Sequence, residues 1–151
     1  MKKISVFILL IAATFASCSK DDDGGSEISE ANLVGKWQWT ASTENGKTYE
    51  LDECDKLDSL EFKSNGEVVD TYFDTVSSEN STCEPASSTS KWSLSGDQLT
   101  VTSEFSGVSS TSTGTIKQLT DSTLVLEFID EDEDENGDET TFVFVDTYKR
   151  I

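Results

Sequence analysis

The densest concentration of reactive groups in this chain is a run of carboxylates, Asp130-Glu131-Asp132-Glu133-Asp134-Glu135-Asn136-Gly137-Asp138-Glu139. Within it, Asp132, Asp134, Asn136 and Asp138 alternate around Gly137 as oxygen donors do in the first half of a calcium-binding loop, where the glycine permits the sharp turn. Such a loop needs a bidentate Glu at its twelfth position, and here that position is Val143. The run therefore reads first as a solvated hairpin tip whose charge keeps a sheet edge from aggregating, and second as a weak, millimolar calcium site. No other cofactor is implied. The chain has no histidine, which removes Ser-His-Asp and Cys-His catalysis and His-ligated metals. An enzyme built from these residues would have to work with carboxylates alone, as glycosidases do with a pair about 5 to 10 Å apart. The carboxylates lie mainly in turns and in the N-terminal segment, with none marked as a raised-pKa acid, so a non-catalytic protein is expected. With 30 acidic against 11 basic residues in 151, the formal net charge is −19, and a nucleic-acid backbone is excluded as a partner.

The second group of reactive residues is the cysteines, Cys18, Cys54 and Cys83. Lys2 and Lys3 precede an apolar run from Ile4 to Ala16, too short to span a bilayer and suited to an export signal. The run ends in Phe15-Ala16-Ser17-Cys18, which resembles a bacterial lipobox, so residues 1–17 read as a lipoprotein signal peptide and Cys18 as the lipidated mature N-terminus. An ordinary cleavage after Ala16 is the competing reading. Residues 18–29, with Asp21-Asp22-Asp23-Gly24-Gly25, read as a flexible acidic tether. That cluster resembles the surface-export signal of Bacteroidetes lipoproteins, which implies a lipid-anchored protein displayed on the bacterial outer membrane. In an exported chain the remaining even pair, Cys54 and Cys83, reads as one disulfide closing a loop of about 29 residues. Two cysteines without histidine or a second pair do not make a zinc site.

What must position these groups is an all-β domain over residues 30–151. Forty Ser and Thr residues, a single Pro, and β-branched and aromatic residues in short runs bounded by Gly, Asn or Asp give strands rather than helices. One helical turn is expected at Glu27 to Leu33, capped by Ser26. Strands are expected at Trp37–Ala41 and Thr48–Leu51. Hairpins follow at Leu60–Lys63 with Glu67–Phe73, at Thr89–Leu94 with Gln98–Phe105, and, after Gly114–Leu119, at Ser122–Ile129 with Glu139–Lys149. About eight or nine antiparallel strands at this spacing make a sandwich or a barrel. The alternation points Trp37, Trp39, Leu60, Phe62, Trp92, Leu99, Leu126, Phe128, Phe142 and Phe144, among others, to one inner face. Val125, Ile129, Val143 and Val145 are apolar on the other face of the last hairpin, which a loop would cover or a partner would contact.

Asn32-Leu33-Val34-Gly35-Lys36-Trp37, opening the first strand, resembles the Gly-x-Trp signature of lipocalin-type barrels. Cys54 ahead of Leu60-Glu61-Phe62, then Asn65-Gly66, Cys83, Trp92-Ser93-Leu94-Ser95-Gly96-Asp97-Gln98-Leu99 and Leu119-Thr120-Asp121-Ser122-Thr123-Leu124 resemble the lipocalin-like domains of Bacteroidetes lipoproteins. The resemblance implies a small antiparallel up-and-down barrel of about eight strands. It also implies that Gly35 and Trp37 form the floor against a basic residue after the last strand, Arg150 or Lys149.

An eight-stranded barrel is filled by its own side chains or holds one small ligand. The inward aromatics serve either use. If the barrel is hollow, Trp39, Phe62, Tyr72, Trp92, Phe105, Phe128, Phe142 and Phe144 are the candidate pocket for a small apolar molecule. If it is filled, the protein works through its outer surface, on an outer-membrane protein or a glycan.

Overall fold

The computed structural model describes residues 27–77, 82–133 and 139–151. A short helix, α1 (Glu30–Leu33), leads into nine strands: β1 (Gly35–Glu44), β2 (Lys47–Tyr49), β3 (Ser59–Phe62), β4 (Glu67–Ser77), β5 (Thr82–Ser95), β6 (Gln98–Phe105), β7 (Val108–Leu119), β8 (Thr123–Glu133) and β9 (Glu139–Arg150). All pair antiparallel in the order β2-β1-β3-β4-β5-β6-β7-β8-β9, and β9 returns to β1, so eight strands close into an up-and-down barrel. The ninth, β2, is a flap: it takes the upper edge of β1 at Ser42 to Glu44, while β3 takes the lower edge at Gly35 to Gln38. Among the described residues no helix is long and apolar enough to cross a membrane.

The helical turn is shorter than expected and is capped by Ser29, whose hydroxyl accepts from the Asn32 N–H, rather than by Ser26. The expected strands are present but longer. β5 begins at Thr82 and β7 at Val108, through Ser/Thr-rich segments with too few apolar residues to show a one-sided pattern. Their upper halves are wet on both faces and are held by ladder hydrogen bonds to β4 and β6.

The core occupies the lower half of the barrel. Leu33, Trp37, Phe62, Val68, Trp92, Leu99, Ile116, Leu119, Leu124 and Leu126 are buried there, each large side chain worth about 1.5–3 kcal/mol when taken out of water. Phe62 meets Trp92 edge to face, with ring centroids 5.5 Å apart. Trp37 is fully buried and donates from Nε1 to the Leu33 carbonyl at 2.8 Å, tying α1 across the barrel's end.

Arg150 completes this floor. Its guanidinium carbon lies 4.1 Å from the Trp37 ring centroid. Its Nε donates to the Asp121 carbonyl at 2.8 Å, Nη1 to Val34 at 2.9 Å, and Nη2 to Asn32. Gly35 makes room for it: φ is +141°, a region L side chains avoid, and a Cβ would collide with Arg150 Nη1. Lys149, the alternative partner, is exposed on the outside.

The Cys54–Cys83 disulfide joins the β2–β3 connector to β5, its Cα atoms 5.5 Å apart. Closing a loop of this length stabilises the fold by about 3–4 kcal/mol in the chain-entropy model. On the outer face of the last hairpin Ile129 is exposed, Val125, Val143 and Val145 are half-buried, and no loop among the described residues covers them.

Replacing Arg150 with Ala strips three carbonyls of their donor and uncovers the Trp37 face, with an expected loss of about 2–4 kcal/mol. Arg150→Lys cannot reproduce the fork and should recover less than half of that loss in urea unfolding. A lysine variant as stable as the parent would show that Trp37 needs only a charge above it.

Candidate functional site

Above the floor the inner face changes character. A cavity of about 240 Å³ is walled by Leu60, Phe62, Val68, Leu99, Val101, Leu126 and Phe128, with Asp70, Ser88, Ser90, Ser103 and Tyr148 among them. A side cavity of about 180 Å³ shares Leu60, Asp70 and Tyr148 with it and adds Trp39, Asp58, Ser59 and Tyr72. A third of about 190 Å³ lies higher, between Trp39, Ser42, Glu44, Tyr49 and Phe144. Trp39 and Tyr49 stack there with centroids 6.3 Å apart. A larger hollow of about 310 Å³ lies outside the barrel beside α1, but no titratable group other than Glu30 faces it. The site is placed inside because apolar walls and convergent polar groups coincide there.

Register explains how the polar groups come inside. In β9 the inner stripe is Phe142, Phe144, Asp146 and Tyr148, opposite Asp130, Phe128, Leu126 and Leu124 of β8. In β4 it is Val68 and Asp70, opposite Phe62 and Leu60 of β3. In β1 a bulge after Trp39 shifts the alternation by one, so Ser42 is buried and Ala41 is exposed. Gly114 in β7 leaves space for the Phe128 ring, which a Cβ there would approach to 2.5 Å.

These groups are perturbed by their surroundings. Burial pushes the Asp146 carboxyl above the ordinary carboxylate range, while the dipoles of the Ser42 hydroxyl and Trp39 N–H pull the other way. Burial likewise raises Asp70. Asp58 is raised by burial, opposed by the Phe73 N–H that donates to its Oδ1 at 2.9 Å. Burial first, then the carboxylates of Asp146, Asp70 and Asp58, raise Tyr148, which stays a neutral phenol. The Trp39 Nε1–H is buried with no partner at hydrogen-bonding distance. No Lys or Arg lines any of the three cavities.

Of the aromatics expected to form the pocket, Trp39, Phe62, Tyr72, Phe128 and Phe144 reach cavity walls. Trp92 belongs to the floor, where its Nε1 donates to the Lys63 carbonyl at 3.2 Å. Phe142 stacks on Phe144 at 6.4 Å without lining a cavity. Phe105 is 82% exposed at the β6–β7 tip, because the strands run past the last inward contact there. Cys18, Asp134, Asn136 and Asp138 lie outside the described residues, as does the side chain of Asp132. Among the described residues no group of three or more acidic or cysteine side chains is arranged to hold a metal ion. The sequence reading missed Asp58, Asp70, Asp146 and Tyr148. The signal was present in Val68-x-Asp70-x-Tyr72 and Phe144-x-Asp146-x-Tyr148, where an aspartate sits in step with an apolar stripe.

A closed barrel in which, the β2 flap apart, successive strands pair antiparallel and the last returns to the first, locked at the floor by Trp37 and Arg150, is the architecture of the lipocalin-type barrels. Within that class the chain belongs to the lipocalin-like domain family, whose model matches residues 33–126. Among solved structures it is similar to "Odorant Binding Protein OBP1", with 14% identity over 80% of this chain and 74% of that one and a TM-score of 0.42. It is also similar to the "fluorescent protein UnaG", wild type, with 15% identity over 82% of this chain and 100% of that one and a TM-score of 0.35. Among curated proteins no relative matches it.

A carboxyl whose folded pKa lies above its unfolded value binds more protons folded than unfolded. It therefore opposes folding at neutral pH, and the penalty fades as pH falls through the folded pKa. Asp146 sits between Phe144 and Tyr148 on the inner stripe of β9, and the polar groups that oppose its burial are the Ser42 hydroxyl and the Trp39 indole. Asp146→Asn keeps an oxygen for the Ser42 hydroxyl and removes the charge. It should raise Tm at pH 7.5 by roughly 3 °C or more, and the gain should shrink toward zero as pH falls to about 4. A variant less stable than the parent at pH 7.5 would show that the charge is satisfied in the folded state.

Proposed function

We propose that this protein is a lipocalin-like binding protein that holds a small, largely apolar molecule in the upper half of its barrel. It has no catalytic role and is carried on the outer membrane by a lipid on Cys18. The observation that supports binding is the change of content along the barrel axis. The floor is close-packed, whereas the space above it keeps cavities of about 240 and 180 Å³ walled by Trp39, Phe62 and Phe128 and holds an unpartnered Trp39 N–H. A barrel evolved only as a filled scaffold gains nothing from buried orphan groups. The anchor is supported by the sequence alone, through Phe15-Ala16-Ser17-Cys18 and the Asp21-Asp22-Asp23 tether. A tether of roughly a dozen residues would set the barrel about 20 Å from the lipid surface.

One observation favours a second use of the molecule. Phe105 and Val108 sit opposite each other at the β6–β7 tip, 82% and 70% exposed, and would suit contact with an outer-membrane protein or a glycan. The two uses separate in native mass spectrometry of the protein purified from the cell that makes it. A bound species of a few hundred daltons that leaves on unfolding is expected, and Ser90→Phe, which projects a ring into the larger cavity, should abolish it while Tm holds. A bare mass in the parent protein would favour a filled barrel acting through its surface. Cys18→Ser should release the protein from the membrane fraction and end its labelling by a clickable palmitate analogue. Membrane retention in that variant would overturn the lipid anchor.

A further inference from the structure

The pairing registers leave one stretch of sheet without a neighbour. We propose that the outer edge of β7, from Val108 to Thr113, is a docking edge for an extended basic segment of another protein, which adds to it as one more strand. The inference is independent of what the barrel holds inside.

The first observation is that the β6–β7 hairpin outruns the barrel wall on both sides. β6 pairs with β5 only as far as Thr102, and β7 pairs with β8 only from Gly114 onward, while the hairpin itself continues to Phe105 and Val108. Its strands are joined by the two-residue turn Ser106-Gly107, both at positive φ, which makes Phe105 and Val108 a mutually hydrogen-bonded pair. Alternation from that pair turns the backbone N–H and C=O of Val108, Ser110 and Ser112 toward β6 and those of Ser109, Thr111 and Thr113 away from it. The Ile116 N–H, bonded to the Asp97 carbonyl at the start of β6, keeps the same alternation. Ser109, Thr111 and Thr113 thus present a row of donors and acceptors to the β8 side, with no backbone partner among the described residues.

The second observation is what that edge lacks. Natural sheet edges are blunted by proline or by charge, because a bare one is a template for further pairing. The other edges left open at this end follow the rule: above Lys91, β5 carries Glu84 and Pro85, and above Phe128, β8 carries Asp130 and Glu131. β7 offers Val108-Ser109-Ser110-Thr111-Ser112-Thr113, with neither device. Main-chain hydrogen bonds to such an edge bind an extended segment, and its flanking side chains select which one.

Charge selects a basic segment. Asp130 and Glu131 are exposed on the neighbouring strand, and the Lys117–Glu127 ion pair, at 3.2 Å, lies below the last β7–β8 rung. Beyond that pair neither β7 nor the described part of β8 has a basic residue. A second copy of the chain would bring its own −19 to this edge, whereas lysines or arginines would meet opposite charge. At the tip Phe105 and Val108 are left to pack against an apolar side chain of the added strand.

The test uses three end-capped synthetic peptides: Lys-Val-Lys-Val-Lys-Val-Lys, its proline counterpart Lys-Pro-Lys-Pro-Lys-Pro-Lys, which keeps the charge but cannot pair as a strand, and Glu-Val-Glu-Val-Glu-Val-Glu. Binding to the full chain is followed by calorimetry at about 0.15 M salt, where surface charges are screened beyond about 8 Å. The lysine–valine peptide is expected to bind about 10-fold or more tightly than either of the others. It should slow amide exchange at Ser109, Thr111 and Thr113 and leave Ser110 and Ser112, already bonded to β6, unchanged. Thr111→Pro removes an N–H that the hairpin does not use, so it should weaken that peptide about 10-fold or more while Tm stays within about 2 °C. If that variant fails to fold, the proline peptide and the amide pattern still decide. No binding of the lysine–valine peptide, equal binding of either control, or binding without protection at those three amides would overturn the inference. A parent chain that dimerises in sedimentation through this edge, and is monomeric as Thr111→Pro, would overturn it in favour of a second copy.

Discussion

The Arg150 guanidinium is the contact on which the rest of the barrel depends. A barrel has no free edges, but its ends remain open, and here one end must be closed by α1 and by the chain entering β1. That closure leaves carbonyls at Asn32, Val34 and Asp121 without sheet partners, and a single planar group with five donors satisfies all three while lying on Trp37. Gly35 is required because nothing larger than hydrogen fits between that group and the backbone. The three residues are therefore one device: the glycine admits the arginine, the arginine covers the tryptophan, and the tryptophan's own N–H returns to Leu33 to hold α1 in place.

Sealing the floor divides the labour along the barrel axis. Below, the interior is dry and built from Trp37, Phe62, Leu99, Leu124 and Leu126 at full burial. Above, the same strands carry Asp70, Asp146, Tyr148, Ser88 and Ser90 inward, groups that weaken a core. Such residues persist only where the surrounding structure over-determines them or where function requires them. The disulfide, the arginine clasp and a continuous ladder of strands supply stability from outside the chamber, which frees the chamber's residues to be chosen for something other than stability.

Much of this was legible in the sequence, because period-two alternation reports which face is dry. The floor residues follow from it and the antiparallel order from the hairpin turns, while the Gly35-x-Trp37 closure came from the resemblance to lipocalin-type barrels. The upper chamber was not, for three physical reasons. Asp70 and Asp146 were counted with the solvated acids, since in a chain with 30 carboxylates the sign of a residue says little about its position; only their step with Tyr72 and Tyr148 marks them. The bulge after Trp39 inverts the alternation, burying Ser42 in place of Ala41, and nothing local announces it. The upper halves of β5 and β7 are Ser/Thr-rich and wet on both faces, so their extent is set by pairing with β4 and β6 rather than by their own pattern.

The side cavity has a cause of its own in the shortness of β3. With four residues, β3 covers only the lower part of the gap between β1 and β4. Above it, the connector substitutes for a strand without being one. The Asp58 carbonyl accepts from the backbone N–H of Trp39 at 2.9 Å, its carboxylate accepts from the backbone N–H of Phe73 at 2.9 Å, and the Lys56 carbonyl accepts from Gln38 Nε2 at 2.7 Å. These bonds bridge both neighbours but leave the irregular segment without a row of inward side chains, so Trp39, Tyr72 and Tyr148 border empty space instead of a packed strand. The disulfide then fixes the connector to β5 at Cys83, beside the hairpin partner Thr75. One short strand thus explains both features together: it opens the barrel wall where Asp58, Asp70 and Tyr148 lie, and it leaves the connector to be tied to β5 by a covalent link.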